Sequence, residues 1–305
     1  MAKILLLGKG GQVGWELQRS LAPLGEVIAL DFDSTDHCGD FTNLAGLAAT
    51  VRAIAPDIIV NAGAHTAVDK AEGEPELVRT INALAPGALA NAAKVVGAWL
   101  VHYSTDYVFD GSGTKPWVET DAPAPLSVYG RTKLEGEQLI QASACKHLIF
   151  RTSWVYAARG GNFAKTMLKL AQERDVLKVI NDQTGAPTGA ELLADVTAHA
   201  LRQATAQWAA GRDLSGLYHL AAGGHTTWFD YANHVLSLAK QAQPAIKMVV
   251  ASVQPVPTSA FQTAAKRPLN SRLDTHKIQS TFGLTLAHWT IGVNRMITEY
   301  LEKTA

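Results

Sequence analysis

Cysteine is almost missing: Cys38 and Cys145 are the only two in 305 residues. Two thiols build neither a disulfide framework nor a cysteine zinc site, so a reducing, cytoplasmic setting is expected. An excess of either charge is also missing, with Lys plus Arg and Asp plus Glu at 27 each. Net charge therefore recruits neither nucleic acid nor an anionic membrane surface. No apolar run approaches the ~20 residues that span a bilayer. The short run at residues 4–7 passes directly into glycines, which is no signal-peptide pattern. Internal repeats and low-complexity segments are absent as well. What is present is 47% hydrophobic residues, enough for a sizeable core in one large domain or two modest ones.

Short apolar runs alternate with helical periodicity through the first half. Strands are expected at 4–7, 27–30, 57–60, 99–103 and 147–150, and helices at 15–21, 44–54, 77–96 and 129–142, the third interrupted near Asn82 and Pro86. This alternation predicts an α/β fold, a Rossmann-like doubly wound parallel sheet covered on both faces. After Trp154 the pattern loosens. Helices are expected at 162–173, 191–201 and 229–240, a strand at 217–220, and an irregular, proline-marked stretch from 255 to 268. The expected division is a dinucleotide-binding domain over 1–154, also receiving part of 176–221. A smaller, partly intertwined C-terminal substrate domain takes most of 155–305.

Gly8-Lys9-Gly10-Gly11-Gln12-Val13-Gly14 lies between the first strand and the first helix. Gly8, Gly11 and Gly14 permit a tight turn and close approach of backbone N–H groups, including those of Gln12 and Val13, to a phosphate. Asp31 ends the second strand, where a carboxylate can bind adenosine ribose hydroxyls. Asp31 favours NADH by repelling a 2′-phosphate, whereas Lys9 could attract one, so use of both NADH and NADPH is expected. Asp40 and Phe41 lie where a loop could reach adenine; equally, Asp40 could cap the next helix and Phe41 anchor the core. Small residues in Asn61-Ala62-Gly63-Ala64-His65-Thr66 would let the backbone of Ala64, His65 and Thr66 pass close to the pyrophosphate or nicotinamide ribose. His65 receives no catalytic role.

Tyr129 and Lys133 stand four residues apart in an expected helix and so share a face. A phenol ionises near pKa ~10, too high for easy proton exchange at neutral pH, and a neighbouring ammonium would lower it. The pair suits proton donation to a carbonyl under reduction. Ser104-Thr105-Asp106 follows the fourth strand, at the end where such sheets hold ligands. Thr105 is the hydroxyl expected to polarise the carbonyl. As an isolated run, the three residues would read as a turn or cap. Late in the chain, Lys266, Arg267 and Arg272 form a basic cluster. Arg272 is a candidate partner for a pyrophosphate and equally a candidate for solvated surface charge.

The order of these features resembles the extended short-chain dehydrogenase/reductases. Within them the chain is similar to the dTDP-4-dehydrorhamnose reductase family over essentially its whole length. The resemblance is carried by the glycine turn, His65-Thr66-Ala67-Val68-Asp69-Lys70, Tyr103-Ser104-Thr105-Asp106-Tyr107-Val108-Phe109, Arg151-Thr152-Ser153-Trp154, Asp182-Gln183-Thr184-Gly185-Ala186-Pro187 and Arg267-Pro268-Leu269-Asn270. It implies NAD(P)H-dependent reduction of the 4-keto group of a nucleotide sugar, in the supply of activated rhamnose for bacterial surface polysaccharide. It implies catalysis by Tyr129, Lys133 and Thr105, cofactor contacts by Tyr129 and Lys133, the lysine on the nicotinamide ribose, and substrate contacts at Thr105, Asp106 and Trp154. It also implies a homodimer with structural magnesium near Glu16, Glu191 and Glu299. One departure is Gly10, where many relatives carry Thr; the extra glycine is expected to loosen the turn without removing a phosphate-binding N–H. Two competing expectations are a nucleotide-sugar epimerase or dehydratase, which would regenerate its cofactor, and a non-catalytic dinucleotide-binding subunit.

Overall fold

The computed structural model describes residues 1–304. Strands β1 (Ala2–Leu7), β2 (Gly25–Leu30), β3 (Ile58–Asn61), β4 (Trp99–Thr105) and β5 (Lys146–Thr152) join a later strand, Gly216–His219, in one sheet. Its order is Gly216–His219, β5, β4, β3, β1, β2, and every pairing is parallel. The chain runs outward from β1 to β2, then crosses back to place β3 on the other side of β1. That reversal opens a crevice above the carboxyl ends of the strands.

β1 shows why the sheet is covered on both faces. Ile4, Leu5, Leu6 and Leu7 are all fully buried. Ile4 and Leu6 pack on one face with Leu17 and Leu21 of α1 (Gln12–Leu21) and with Leu193 and Leu201 of the helix Ala190–Ala209. Leu5 and Leu7 pack on the other with Leu47 and Val51 of α2 (Leu44–Ile54) and Leu89 of the helix Ala85–Val96. Each such side chain contributes about 1.5–3 kcal/mol by leaving water.

A second body is built on helices Phe163–Glu173, Trp228–Ala242 and Trp289–Thr304 around Tyr231, Trp289 and Val293. Beside them the strand Val176–Ile180 pairs in parallel with Ser252–Val256. The segment expected to be irregular from 255 thus begins inside a strand. Pro255 is tolerated there because the sheet has only two strands, so its missing N–H breaks no central ladder. The helices His276–Phe282 and Trp289–Thr304 were outside the sequence-based expectations. The helix Ala190–Ala209 extends eight residues beyond its expected end at 201. Both cysteines are free thiols, and among the described residues no helix is long and apolar enough to cross a membrane.

Candidate active site

The glycine turn begins where β1 ends. Gly8 holds φ +86°, a left-handed conformation open to glycine, and a Cβ there would come 2.7 Å from the Gly63 nitrogen. A Cβ on Gly14 would come 1.9 Å from the Gly8 carbonyl oxygen, so the helix can start this close to the turn only with glycine at 14. Gly11 meets nothing nearer than 3.5 Å, leaving its outer side open. No side chain caps the N-terminus of α1. Its first-turn N–H groups and the favourable helix dipole suit an anion. Gly10 is better placed than expected: it donates to Asp31 Oδ2 at 2.8 Å, and a Cβ there would come 2.6 Å from the same oxygen. The extra glycine therefore lets Asp31 brace the turn rather than loosening it. Asp31 Oδ1 also accepts from the Phe32 N–H. Arg159, not foreseen from sequence, stacks over Trp15 at 4.1 Å and donates to the Gly10 carbonyl, placing a cation beside the turn.

Asp40 and Phe41 have structural tasks. Asp40 Oδ1 accepts from the Thr42 N–H and hydroxyl, and Phe41 is a buried core residue beneath Gly63. The loop carrying Ala64, His65 and Thr66 is clamped by Asn82. His65 N–H donates to Asn82 Oδ1 at 2.8 Å, and Asn82 Nδ2 donates to the His65 carbonyl at 3.0 Å. Asn82 sits in a π-helical turn, Thr80–Leu84, which is the interruption visible in the sequence and a frequent feature of functional sites.

The helix Val128–Ser143 carries the catalytic candidates. Ser127 caps it by accepting from the Gly130 N–H at 3.1 Å. It is fixed to the sheet by a buried bidentate pair: Arg151 Nε and Nη2 reach Glu137 at 2.9 and 2.7 Å. Tyr129 is half-buried, with its ring edge-on to Tyr107 at 5.6 Å. Its phenol lies beside the Thr105 hydroxyl at the carboxyl end of β4. Burial pushes the phenol up to about 12; the Thr105 hydroxyl pulls it down and the Asp106 charge pushes it further up. Lys133 is not among the groups acting on it, which corrects the expectation of a directly lowered phenol. The reason is geometric: Lys133 Nζ is engaged by the Tyr103 carbonyl at 2.6 Å and His102 Nε2 at 3.0 Å. Burial pushes Lys133 down to about 8, with Glu137 acting the other way. His102 was not singled out from sequence, although a histidine within the apolar run of β4 was the available signal.

Thr105 Oγ1 also accepts from the Tyr107 N–H at 3.1 Å and faces Asp106 Oδ1 at 3.2 Å. Asp106 is buried, and burial pushes its carboxyl up to about 7 while the nearby Ser271 and Thr105 hydroxyls pull it down. Trp154 has φ +48°, a strained conformation for a tryptophan. It stacks on Trp228 at 3.6 Å and packs on Gly185. Trp228 lines an apolar groove of about 710 Å³ with Phe163, Met167, Phe261, Gln183 and Arg267. Of the late basic cluster, Arg267 therefore reaches the groove, and it also pairs with Asp69 at 2.6 Å. Arg272 instead donates to Asn270 Oδ1 at 2.8 Å and lines a separate cavity of about 290 Å³.

Glu16, Glu191 and Glu299 come near enough to interact. Burial first, then the charges of Glu16 and Glu299, push the Glu191 carboxyl up, while Arg295 opposes them. Glu16 faces Arg19 at 3.6 Å and Glu299 faces Lys303 at 2.5 Å. Among the described residues no group of three or more His, Cys, Asp or Glu has metal-holding geometry. The oxygen donors suit magnesium chemically, but one chain does not assemble them into a centre.

Residues 2–302 match the family model described as RmlD substrate binding domain. The chain is 61% identical over 302 residues to a dTDP-4-dehydrorhamnose reductase of Escherichia coli K12, covering 99% of each chain. It is 44% identical to one of Burkholderia thailandensis, covering 99% of this chain and 100% of that one. Among solved structures, a Clostridium acetobutylicum dTDP-4-dehydrorhamnose reductase superposes with TM-score 0.86 at 36% identity, covering 99% of each chain. A Bacillus anthracis dTDP-4-dehydrorhamnose reductase in complex with NADP does so with TM-score 0.84 at 34% identity, over 98% of this chain and 99% of that one. The protein is thus a member of the RmlD family, the group to which these dTDP-4-dehydrorhamnose reductases belong.

Proposed function

We propose that this protein reduces the 4-keto group of dTDP-4-dehydro-β-L-rhamnose to give dTDP-β-L-rhamnose, using NADPH or NADH. The observation that carries the reading is the meeting of Tyr129 with Thr105 and Asp106 at the carboxyl end of β4, in a chain 61% identical to a reductase of that name. The reaction would complete dTDP-rhamnose biosynthesis and supply activated rhamnose for bacterial surface polysaccharide, including lipopolysaccharide.

When bound, the nicotinamide supplies a hydride to the keto carbon. The uncapped start of α1, with the backbone of Gly8, Gly11, Gln12, Val13 and Gly14, would hold the pyrophosphate. Asp31 would face the adenosine ribose, the 40–41 segment the adenine, and Ala64, His65 and Thr66 the nicotinamide half. Asp31 supports NADH, and Arg159 with Lys9 supports NADPH, so both forms are assigned.

The chain's own part is proton delivery. As negative charge develops on the keto oxygen, Tyr129 donates its phenolic proton, and Thr105 orients the oxygen and shares the hydrogen bond. The phenolate then recovers a proton from solvent. Lys133 would support this step from the next helical turn by bonding the nicotinamide ribose rather than by acting directly on the phenol. Asp106 would bond a sugar hydroxyl; a carboxyl near pKa 7 can donate as well as accept. Trp154 would pack the sugar. Arg267 would stand by the nucleotide diphosphate from the groove, with Arg272 a weaker candidate from its separate cavity. In this arrangement residues 1–154 with the returning 190–219 segment hold the dinucleotide, and the remainder holds the nucleotide sugar. The assembly assigned is a homodimer with a structural magnesium near Glu16, Glu191 and Glu299; no chemical step passes through the ion.

Tyr129→Phe is expected to retain cofactor affinity while kcat for the keto sugar falls about 10²–10⁴-fold. Steady-state NADPH oxidation with cofactor titration in parallel measures both, and near-normal turnover would reject the assignment.

A further inference from the structure

His102 is a buried titratable group without a task in the reaction proposed above. Its imidazole bridges two side chains: Asn61 Nδ2 lies 3.1 Å from Nδ1, and Lys133 Nζ lies 3.0 Å from Nε2. All three residues are nearly inaccessible to water, so water cannot relieve a mismatch in donors and acceptors.

A third contact fixes the direction of the chain. The Gly63 backbone N–H donates to Asn61 Oδ1 at 3.1 Å. The amide oxygen therefore faces Gly63, and the NH₂ group faces His102. An amide NH₂ only donates, so Nδ1 must accept and carries no proton. A neutral imidazole then bears its proton on Nε2, pointing at Lys133. An amine can accept that hydrogen bond and an ammonium cannot. The amine still keeps N–H groups for the Tyr103 carbonyl at 2.6 Å.

We infer that Asn61 and His102 are positioning residues that govern the charge of Lys133, holding it as the free amine in this arrangement. The ammonium becomes compatible when the His102 proton moves from Nε2 to Nδ1, which turns Asn61 against its bond to Gly63. The other charges around Lys133 do not supply an alternative partner. Glu137, one turn along the same helix, is held by Arg151 of β5. Arg79 and Glu135 pair with each other where both are partly exposed. Tyr129 and Asp106 are neighbours through Thr105. Burial acts in the same direction, pushing both Lys133 and His102 toward their neutral forms. Gly63 packs directly against Gly8 of the cofactor turn. The polar chain thus connects the dinucleotide loop to the lysine that supports proton transfer. This deepens the proposed function and rests on its role for Lys133 only where kinetics are concerned.

The test reads proton positions rather than turnover. In full-length ¹⁵N,¹³C-labelled protein, the two ring nitrogens of His102 and the Lys133 Cε are followed against pH by NMR. Above the Lys133 midpoint, His102 is expected as the Nε2–H tautomer, and the tautomer should change with the same midpoint as the lysine. Asn61→Asp keeps an oxygen for Gly63 but replaces the donor facing His102 with an acceptor. It should put the proton on Nδ1 and raise the Lys133 midpoint by about one pH unit or more. His102→Gln, whose amide oxygen can accept from the ammonium, should raise it without adding charge. An Nδ1–H tautomer at every pH in the unmodified protein, or a Lys133 titration that leaves His102 unchanged, overturns the inference. The unmodified protein decides the matter if either variant fails to fold. Inactivity toward the nucleotide sugar would defeat the proposed function and leave these spectra unaffected.

Discussion

Asp106 couples the site to the stability of the whole chain. Its carboxyl is buried, Oδ2 has no hydrogen-bond partner, and its pKa rises from 3.8 to about 7. Below the unfolded value both states hold the proton, and the neutral side chain fits its surroundings. Between that value and about 7 the folded state keeps a proton that the unfolded state has released, so stability falls as pH rises. Asp106→Asn lacks this loss, which is on the order of 1.4 kcal/mol per pH unit across the window. Its Tm should therefore gain on the unmodified protein as pH rises from 3.8 to about 7 in a thermal melt; a constant difference would contradict the raised carboxyl. Tyr129 and Lys133 were legible from their helical spacing, and Thr105 from its place after a strand in company with that pair. His102 and Asn82 were not, since a single buried histidine or asparagine carries no signal until its partners are known.

The strand-turn-helix unit shows how little freedom a short motif leaves. The approach of Gly14 to the Gly8 carbonyl places the start of α1 against the turn. Gly14→Ala should force the two apart, at about 1–3 kcal/mol of stability, and weaken dinucleotide binding together with Tm. Normal affinity, measured by nucleotide fluorescence, would show that this approach is not needed for the cofactor. The helix Val128–Ser143 depends on a different device, its buried Glu137–Arg151 pair with β5. The strand at Ser252–Val256 escaped the sequence pattern because its prolines signal a loop unless the strand is known to be at an edge. The π-helical turn left only its interruption in the sequence; the clamp that Asn82 makes on the 65 loop depends on where the two segments meet.

For the molecule as a whole, parallel order brings the ends of β1, β3 and β4 to one rim. The second body, with its apolar groove, carries Trp228 and Arg267. The three glutamates raise the question of assembly, because one chain gathers their charge without completing a metal centre. If magnesium is structural between two copies, EDTA should shift sedimentation from dimer toward monomer while turnover per remaining dimer stays unchanged. Lost turnover in a still-dimeric sample would give the metal a chemical role instead. The sequence presented Arg272 as the candidate for phosphate, and the fold put Arg267 on the groove, because a loop's path decides which of two nearby cations faces inward.

The sequence alone determined the alternation of strand and helix, the glycine turn, and the Thr105, Tyr129 and Lys133 set. These depend on local periodicity, backbone permissiveness and side-chain chemistry, all properties of short segments. Tertiary structure decided that Gly10 exists for Asp31, that Lys133 is held by His102 and Tyr103, and that Trp154 stacks on Trp228. Each of those contacts joins residues separated by about twenty or more positions, and what a polar group does in the interior is set by the partner the fold brings to it.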